Sequence, residues 1–244
     1  MNLHMLESAN SANSHLKVHP MDLYPSVTII DNFYENPDEI RQFALQQKFT
    51  YCHELNNIDY VFPGCRTKDL FEIDATLYEK VCKKLVSVFH NTKQDAMRWA
   101  ISTSFQVVEA KFERGVLHQD GNTIFAGVIY LTPNAPLNAG TSLFKPNASF
   151  NEEKYQTALK QSEINFKTNQ PVSTDFHSMF DETVRVNNVY NTLILFNAQT
   201  YHAANEFFGD SLATGRLAQV FFINKIDANS YDIFPLQRTK NIAI

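Results

Sequence analysis

The chain has 244 residues, a length that fits one domain of the larger all-β or mixed type. Hydrophobic residues make up 44% and charged residues 19%, which is typical of a globular protein in water. The net charge is -5 and the Lys and Arg residues are scattered. General nucleic-acid binding is therefore disfavoured, because it depends on clustered basic side chains that neutralise phosphates.

Cysteine usage and hydropathy argue against further classes of protein. The three cysteines, Cys52, Cys65 and Cys82, are odd in number and none is paired as CxxC, which argues against a disulfide framework or a structural zinc site. The first residues lack the basic and apolar segments of a signal peptide, and no apolar run approaches the roughly 20 residues of a membrane helix. We therefore expect a cytoplasmic protein with no membrane association.

The N-terminal part begins with an aperiodic segment, 1–24, which we interpret as a flexible tail. The sequence VTIID at 27–31 predicts a short buried strand. A helix is expected next, because Asn36 and Glu39 have the spacing of a capping box and Pro37 suits the first helical position.

The following segment, 51–67, has no clear period and contains a Pro-Gly turn. A second helix is predicted over 74–90, where Leu77 and Leu85 belong to one apolar face. We therefore interpret 25–98 as helical support for the rest of the chain.

From Trp99 the apolar period changes to two, which predicts a strand as far as Val107. Shorter strands are predicted at 115–120, 124–131, 141–144, 183–187, 192–197, 200–204 and 216–224. A polar insertion at 145–181 interrupts them and contains a predicted helix over 152–164. Helices followed by strands indicate a mostly β protein with flanking helices (α+β), in which N-terminal helices buttress a sheet or barrel core.

Three residues suggest a metal site. His118 and Asp120 are two apart on a predicted strand, so their side chains project to the same side. His202 follows an apolar strand later in the chain and is the natural third ligand. Two imidazoles and a carboxylate on one triangular face are typical of non-haem Fe(II) sites, whereas an isolated HxD pattern is common by chance.

Arg216 begins a strand that is otherwise almost wholly apolar. Removing a guanidinium from water is costly unless it has a partner, and a dicarboxylate co-substrate would be one. Tyr130, a phenol on a predicted inward-facing strand, could donate a further hydrogen bond. The alternative is that Arg216 ends its strand in water and pairs with Asp or Glu.

The remaining candidates have simpler interpretations. His177 is interpreted as a surface residue of the insertion and His53 as a structural residue of an aromatic loop. Arg66 follows a Pro-Gly turn, so it could reach an active-site mouth or form a surface salt bridge. Cys65 and Cys82 have no His partner in a recognisable motif, which argues against nucleophilic catalysis.

Taken together, these features resemble the 2-oxoglutarate- and Fe(II)-dependent oxygenases of the prolyl-4-hydroxylase-like group. The resemblance covers residues 115–224 and depends on His118-Gln119-Asp120, Tyr130-Leu131, Ala139-Gly140-Thr141, Leu195-Phe196, His202 and Arg216. The N-terminal part resembles an uncharacterised subgroup of small oxygenase-like proteins through Ile30-Asp31-Asn32-Phe33, Arg41 and Phe62-Pro63-Gly64-Cys65-Arg66.

The resemblance implies a double-stranded β-helix, or jelly roll, over 99–226, followed by a C-terminal extension at 227–244 in a single domain of 1–244. It implies that the three metal ligands hold Fe(II). It also implies that the 2-oxoglutarate contacts come from Arg216, Tyr130 and Thr141.

With dioxygen, the implied reaction yields succinate, carbon dioxide and a hydroxylated substrate. The sequence departs from the family pattern in a longer loop before Arg216, in Ala218 where a hydroxyl residue is common, and in Ala139 before Gly140.

Several alternatives stay open at the level of sequence. The implied substrate is a protein or amino-acid side chain such as proline, but a small molecule or a nucleobase would fit the same motifs. The fold could also serve as a non-catalytic jelly-roll module that binds a ligand, or as a hydrolase or isomerase with Zn or Mn at the same ligands. A homodimer is an open alternative for its assembly.

Overall fold

The computed structural model describes residues 27–55, 61–90 and 97–228. The helices of these segments are α1 Pro37–Leu45, α2 Leu70–Ile73, α3 Ala75–Val86 and α4 Glu152–Lys167. The strands are β1 Val27–Ile30, β2 Thr50–Tyr51, β3 Cys65–Arg66, β4 Met97–Val108, β5 Phe125–Tyr130, β6 Thr141–Pro146, β7 Phe180–Val186, β8 Leu193–Asn197, β9 Tyr201–Ala204 and β10 Arg216–Ala228. The predicted tail, 1–24, lies outside these ranges, as does the predicted extension beyond Ala228.

The strands form two antiparallel sheets. The larger sheet has the order β1-β8-β5-β10-β4-β3-β2, and the smaller has the order β7-β6-β9. An isolated bridge between His118 and His202 adds one more segment beside β9. From β4 onward the chain passes repeatedly between the two sheets, which is the topology of a jelly roll. The predicted fold class is therefore confirmed.

Successive side chains of a strand point to opposite faces of its sheet, so the core forms separate layers. The cluster between the two sheets contains Ala126, Tyr130, Leu143, Val186, Ile194, Phe196 and Ala198. The opposite face of the larger sheet packs against the N-terminal helices, with Leu85 of α3 in the same cluster as Phe105 and Leu217. The outer face of the smaller sheet packs beneath α4, where Phe144 and Phe166 share a cluster. The N-terminal helices thus buttress the β core as predicted.

The longest predicted elements agree with the structure to within a few residues, but some details differ. The expected capping box at the start of α1 is wrong, because the Asn36 side chain accepts no capping hydrogen bond. The segment 51–67 is not wholly irregular, since β2 and β3 pair within it. The short helix α2 was not predicted; the Asp69 carboxylate caps it by accepting from the Phe71 N–H at 2.9 Å.

The expected strand at 115–120 is reduced to the single bridge at His118. The register that pairs His118 with His202 would next pair Val116 with Ala204, but the Gly115 N–H donates to the Ala204 carbonyl instead, so no regular ladder forms beside β9. All three cysteines are buried and free, which agrees with the expected lack of disulfides. None of the described helices is both long and apolar enough to cross a membrane.

Candidate metal and co-substrate site

His118 and His202 converge because they are directly opposite each other on neighbouring segments. The His118 N–H donates to the His202 carbonyl at 3.1 Å, and the His202 N–H donates back to the His118 carbonyl at 2.9 Å. Residues paired in this way project their side chains to the same face of a sheet. The two imidazole ring centres are accordingly 4.4 Å apart.

Asp120 completes the group from the turn that follows His118. Its backbone N–H donates to the Ala198 carbonyl at 3.0 Å, which anchors the turn against the end of β8. One carboxylate oxygen, Oδ1, is 3.5 Å from His118 Nε2, and the other, Oδ2, is 3.4 Å from His202 Nε2. One ligand atom from each of the three residues lies within 4.8 Å of the others.

The outward-facing ring nitrogens of both imidazoles are held by backbone carbonyls. His118 Nδ1 is 2.8 Å from the Val116 carbonyl oxygen, and His202 Nδ1 is 2.9 Å from that of Thr200. A carbonyl can only accept, so each Nδ1 carries a proton, and in the neutral imidazole each Nε2 is left with the lone pair that a metal would bind. This orientation of metal-binding histidines is set by second hydrogen bonds of the same kind in metalloproteins.

Burial and neighbouring charges both affect the ionisation of these three groups. Burial opposes protonation of His118, but Asp120 outweighs it and raises the pKa of that imidazole. Burial and the neighbouring His118 lower the pKa of His202. Burial raises the pKa of the Asp120 carboxyl, but the two imidazoles outweigh it and lower that pKa well below its usual range.

The donor set fits a divalent metal. Ligand atoms bound side by side to one ion at about 2.1 Å are about 3 Å apart, close to the His–Asp separations. Oδ2 of Asp120 is buried and makes no hydrogen bond within the described part of the chain, and 3.4 Å from an imidazole is too long for a good one. Two imidazoles and one carboxylate suit Fe(II) and leave other coordination positions open.

Arg216 is deeply buried at the start of β10, with 6% of its surface exposed. Its Nε donates to the Ala139 carbonyl at 2.9 Å, and its guanidinium carbon is 5.3 Å from the centre of the Tyr130 ring. No carboxylate of the described segments forms an ion pair with it. Burial lowers its pKa from the ordinary Arg value. The alternative of a strand end in water is therefore wrong.

Tyr130 lies beside this guanidinium, and Thr141 faces Tyr130 from the other sheet. The Tyr130 hydroxyl donates to Thr141 Oγ1 at 2.9 Å, and both residues are buried. Tyr130 pairs with Ala218 across the ladder between β5 and β10, two positions after Arg216. The structure thus brings together the three residues predicted to contact a co-substrate carboxylate.

Sequence reasoning missed Thr132, which fixes the backbone on both sides of Arg216. Its hydroxyl donates to the Gly215 carbonyl at 2.9 Å and accepts the Leu217 N–H at 2.9 Å. The hydroxyl is buried with these partners, so the start of β10 is held in place from the segment that follows β5. No local sequence pattern identifies this contact, since a Thr after a strand is ordinary.

The other candidates are placed as follows. The interpretation of His177 as a surface residue is wrong, because only 8% of its surface is exposed. His53 is exposed, with its ring centre 5.5 Å from that of Tyr51. Arg66 stacks on the Phe62 ring at 4.4 Å, and its charge opposes a higher pKa at His118, so it lies within electrostatic reach of the metal ligands.

Comparisons with solved structures return similar folds at low sequence identity. The chain is similar to HygX from Streptomyces hygroscopicus with nickel and 2-oxoglutarate bound (12% identity, 81% of this chain and 82% of that chain, TM-score 0.49). It is similar to a prolyl hydroxylase from Trichoplax adhaerens in complex with a hypoxia inducible factor peptide fragment (10%, 81% and 83%, TM-score 0.45). A third is an oxidoreductase of the 2OG-Fe(II) oxygenase family from Burkholderia pseudomallei (11%, 87% and 87%, TM-score 0.45).

A search of the curated proteins finds no match. A family model does match, over residues 12–223, and therefore spans the helical part, the His-Asp-His group and Arg216. The chain belongs to the family that this model describes, a family of unknown function (DUF6445).

Proposed function

We propose that the chain is a 2-oxoglutarate- and Fe(II)-dependent dioxygenase that hydroxylates an organic substrate. The observation that carries the proposal is Arg216, a buried guanidinium without a carboxylate partner in the described segments, in the same jelly roll as a His-Asp-His metal-binding group. A metal site alone would suit many reactions. A metal site together with a buried guanidinium that can bind a carboxylate is compatible with far fewer reactions.

Each group in the site has a distinct part. His118, Asp120 and His202 would hold the iron through the two Nε2 atoms and the carboxylate. When bound, the iron supplies the redox chemistry by which dioxygen converts 2-oxoglutarate to succinate and carbon dioxide and hydroxylates a substrate C–H bond. The fixed Nδ1–H donors to Val116 and Thr200 keep both imidazoles in the ligand tautomer.

Arg216 would bind the carboxylate of 2-oxoglutarate that is farther from the metal. A guanidinium can donate two parallel hydrogen bonds to a carboxylate, and charged hydrogen bonds contribute about 1.5–3 kcal/mol each. The Tyr130 hydroxyl, which donates to Thr141 here, could turn to donate to the same carboxylate. The apolar cluster around them excludes water, which strengthens these contacts.

Anaerobic titration tests the proposal. Fe(II) and 2-oxoglutarate added together without oxygen are expected to give a visible charge-transfer band, and admission of air should yield succinate. Asp120→Ala and His202→Ala are expected to abolish iron-dependent succinate formation. Full turnover in either variant would reject the metal assignment.

The same titration separates the competing functions. Binding of metal and 2-oxoglutarate without succinate formation in the presence of diverse substrates would favour a non-catalytic binding module. Activity with Zn or Mn that needs neither 2-oxoglutarate nor dioxygen would favour a hydrolase or isomerase.

The substrate we propose is a protein or amino-acid side chain such as proline, with a small molecule or a nucleobase as the alternative. Mass spectrometry of peptides, amino acids and nucleotides incubated with the enzyme would show a gain of one oxygen atom on the true substrate. A gain on a nucleotide alone would reject the protein side chain.

A further inference from the structure

The inserted segment at 145–181 contributes a buried polar side chain close to the metal ligands. Its helix α4 and the turn Asp175–Met179 pack over the outer face of the smaller sheet. His177 belongs to that turn, with its ring centre 4.7 Å from that of Phe176 and 6.4 Å from that of Phe144. A polar ring in such an apolar cluster needs a hydrogen-bonding reason to be there.

The hydrogen-bonding partner is the backbone N–H of Leu117, the residue that precedes the proposed ligand His118. The Leu117 N–H donates to His177 Nε2 at 3.1 Å, and Leu117 itself is fully buried. Burial, together with the charges of Arg114 and His118, lowers the pKa of His177 to about 3. The imidazole is therefore neutral at ordinary pH and keeps the lone pair that accepts this hydrogen bond.

The hydrogen bond from Leu117 to His177 lies on the edge of the 115–120 segment that faces away from β9. Successive N–H groups of an extended chain point to opposite edges, and the His118 N–H is directed to β9. The Leu117 N–H therefore points away from β9, where His177 supplies its acceptor in place of a neighbouring strand. Without it, a buried N–H would have no partner, at a cost of about 1–3 kcal/mol.

We infer that His177 is a positioning residue for the metal site: by holding the Leu117 N–H, it fixes the segment that presents His118 and Asp120. The insertion is thereby a structural part of the metal centre, although it provides no ligand. The inference rests on the proposed metal site. It assigns a role to a segment that the proposed chemistry does not use.

Two amide variants of different length test this inference. In His177→Gln the side-chain oxygen reaches about as far as Nε2, whereas in His177→Asn it falls one bond short. With Co(II) alone as the probe, followed by its visible absorption, the Asn variant is expected to bind about 10- to 100-fold more weakly than the original chain, and the Gln variant within about threefold of it.

A second measurement follows the hydrogen bond directly. In the metal-free full-length chain, exchange of the Leu117 amide hydrogen is expected to be faster in His177→Asn than in His177→Gln. Val172→Ala is the matched control, since Val172 packs in the same cluster as Phe176. It should lower the melting temperature and leave Co(II) affinity unchanged.

Equal Co(II) affinities for the Asn and Gln variants would overturn the inference, as would equal exchange rates at Leu117. A weakened Co(II) affinity in Val172→Ala would also overturn it, because packing alone would then explain the effect. If the original chain bound no Co(II), the proposed function would fail, and the exchange rates would still decide whether His177 holds the segment that contains His118.

Discussion

The buried guanidinium of Arg216 affects both the stability of the protein and the binding properties of the site. Arg216 donates through Nε to the Ala139 carbonyl, but it lies opposite no carboxylate in the described segments. An unpaired buried charge destabilises a protein by several kcal/mol, and replacing it by an apolar residue of similar volume is often neutral or stabilising. Functional sites commonly carry such a cost because the ligand supplies the missing partner.

Arg216→Met should therefore separate stability from co-substrate binding. The variant keeps much of the side-chain volume, and the Ala139 carbonyl still accepts from Asn188 Nδ2 at 3.1 Å. We expect an unfolding free energy equal to that of the original chain or higher, by up to about 4 kcal/mol. Stabilisation by added 2-oxoglutarate in the presence of Mn(II), measured by thermal unfolding, should disappear.

Arg185→Met is the control for loss of an arginine. Arg185 is exposed and forms its ion pair with Glu182, so the change should leave the response to 2-oxoglutarate intact. A large loss of stability in Arg216→Met without ligand would show that Arg216 is a structural residue instead.

Thr132 provides a second test of the same region. Thr132→Val has nearly the same shape but leaves the Leu217 N–H and the Gly215 carbonyl without their buried partner. We expect a loss of about 1–3 kcal/mol in unfolding free energy by urea titration, with weaker 2-oxoglutarate binding. Thr132→Ser keeps the hydroxyl and should retain the binding; equal binding by the Val and Ser variants would contradict the role of the hydroxyl.

Local spacing predicts some of these residues and not others. His118 and Asp120 are two apart on an extended segment, so a strand period of two places them together. Thr132 and His177 follow no such rule. The partners of Thr132 are backbone atoms 83 and 85 residues away, and that of His177 is 60 residues away. Only the closed fold brings these atoms together.

At the scale of the elements, the entry into β6 depends on a close backbone approach. A Cβ atom on Gly140 would lie 1.8 Å from the Val186 carbonyl oxygen, so no larger residue fits without moving the pairing of β6 and β7. Thr141, the next residue, is the hydroxyl that faces Tyr130. Close packing at Gly140 therefore fixes the position of Thr141, one of the residues that we propose bind the co-substrate.

Gly140→Ala is accordingly expected to be severely destabilising, by at least about 3 kcal/mol in urea unfolding, because the obstacle is backbone rather than a flexible side chain. Gly121→Ala is the control, since a Cβ there meets no atom within 4 Å. Comparable stability of the two variants would argue against the close approach at Gly140.

The predictability of an element follows its length. The alternation of its side chains predicts β4, and a long, almost wholly apolar run predicts β10. β2 and β3 have two residues each and exist only because Thr50 pairs with Arg66 and Tyr51 with Cys65. Such short strands carry no period of their own. The same holds for the bridge at His118, because the regular register ends where the Gly115 N–H, rather than that of Val116, donates to Ala204.

At the scale of the whole molecule, the proposed metal ligands come from distant parts of the chain. His118 and Asp120 follow β4, whereas His202 lies on β9, beyond the insertion and after β5 to β8. An ion that binds all three binds only the folded state, and ligands of this kind stabilise folding by mass action. The motifs predict the order of these segments along the chain. That His118 and His202 lie opposite each other follows only from the arrangement of the strands in the sheets.

Co(II) at about 100 times its dissociation constant is therefore expected to add about 2.7 kcal/mol to stability, or roughly 5–10 °C in Tm for a chain of this size. Asp120→Asn has the same shape but loses the carboxylate, and it should abolish the shift. Arg216→Met should retain the Co(II) shift and lose only the response to 2-oxoglutarate, because the metal and the carboxylate receptor are separate groups of residues. Differential scanning calorimetry with and without a chelator measures all three. An unchanged Co(II) shift in Asp120→Asn would place the metal elsewhere on the chain, whereas loss of the shift in Arg216→Met would mean that the two sites cannot be separated.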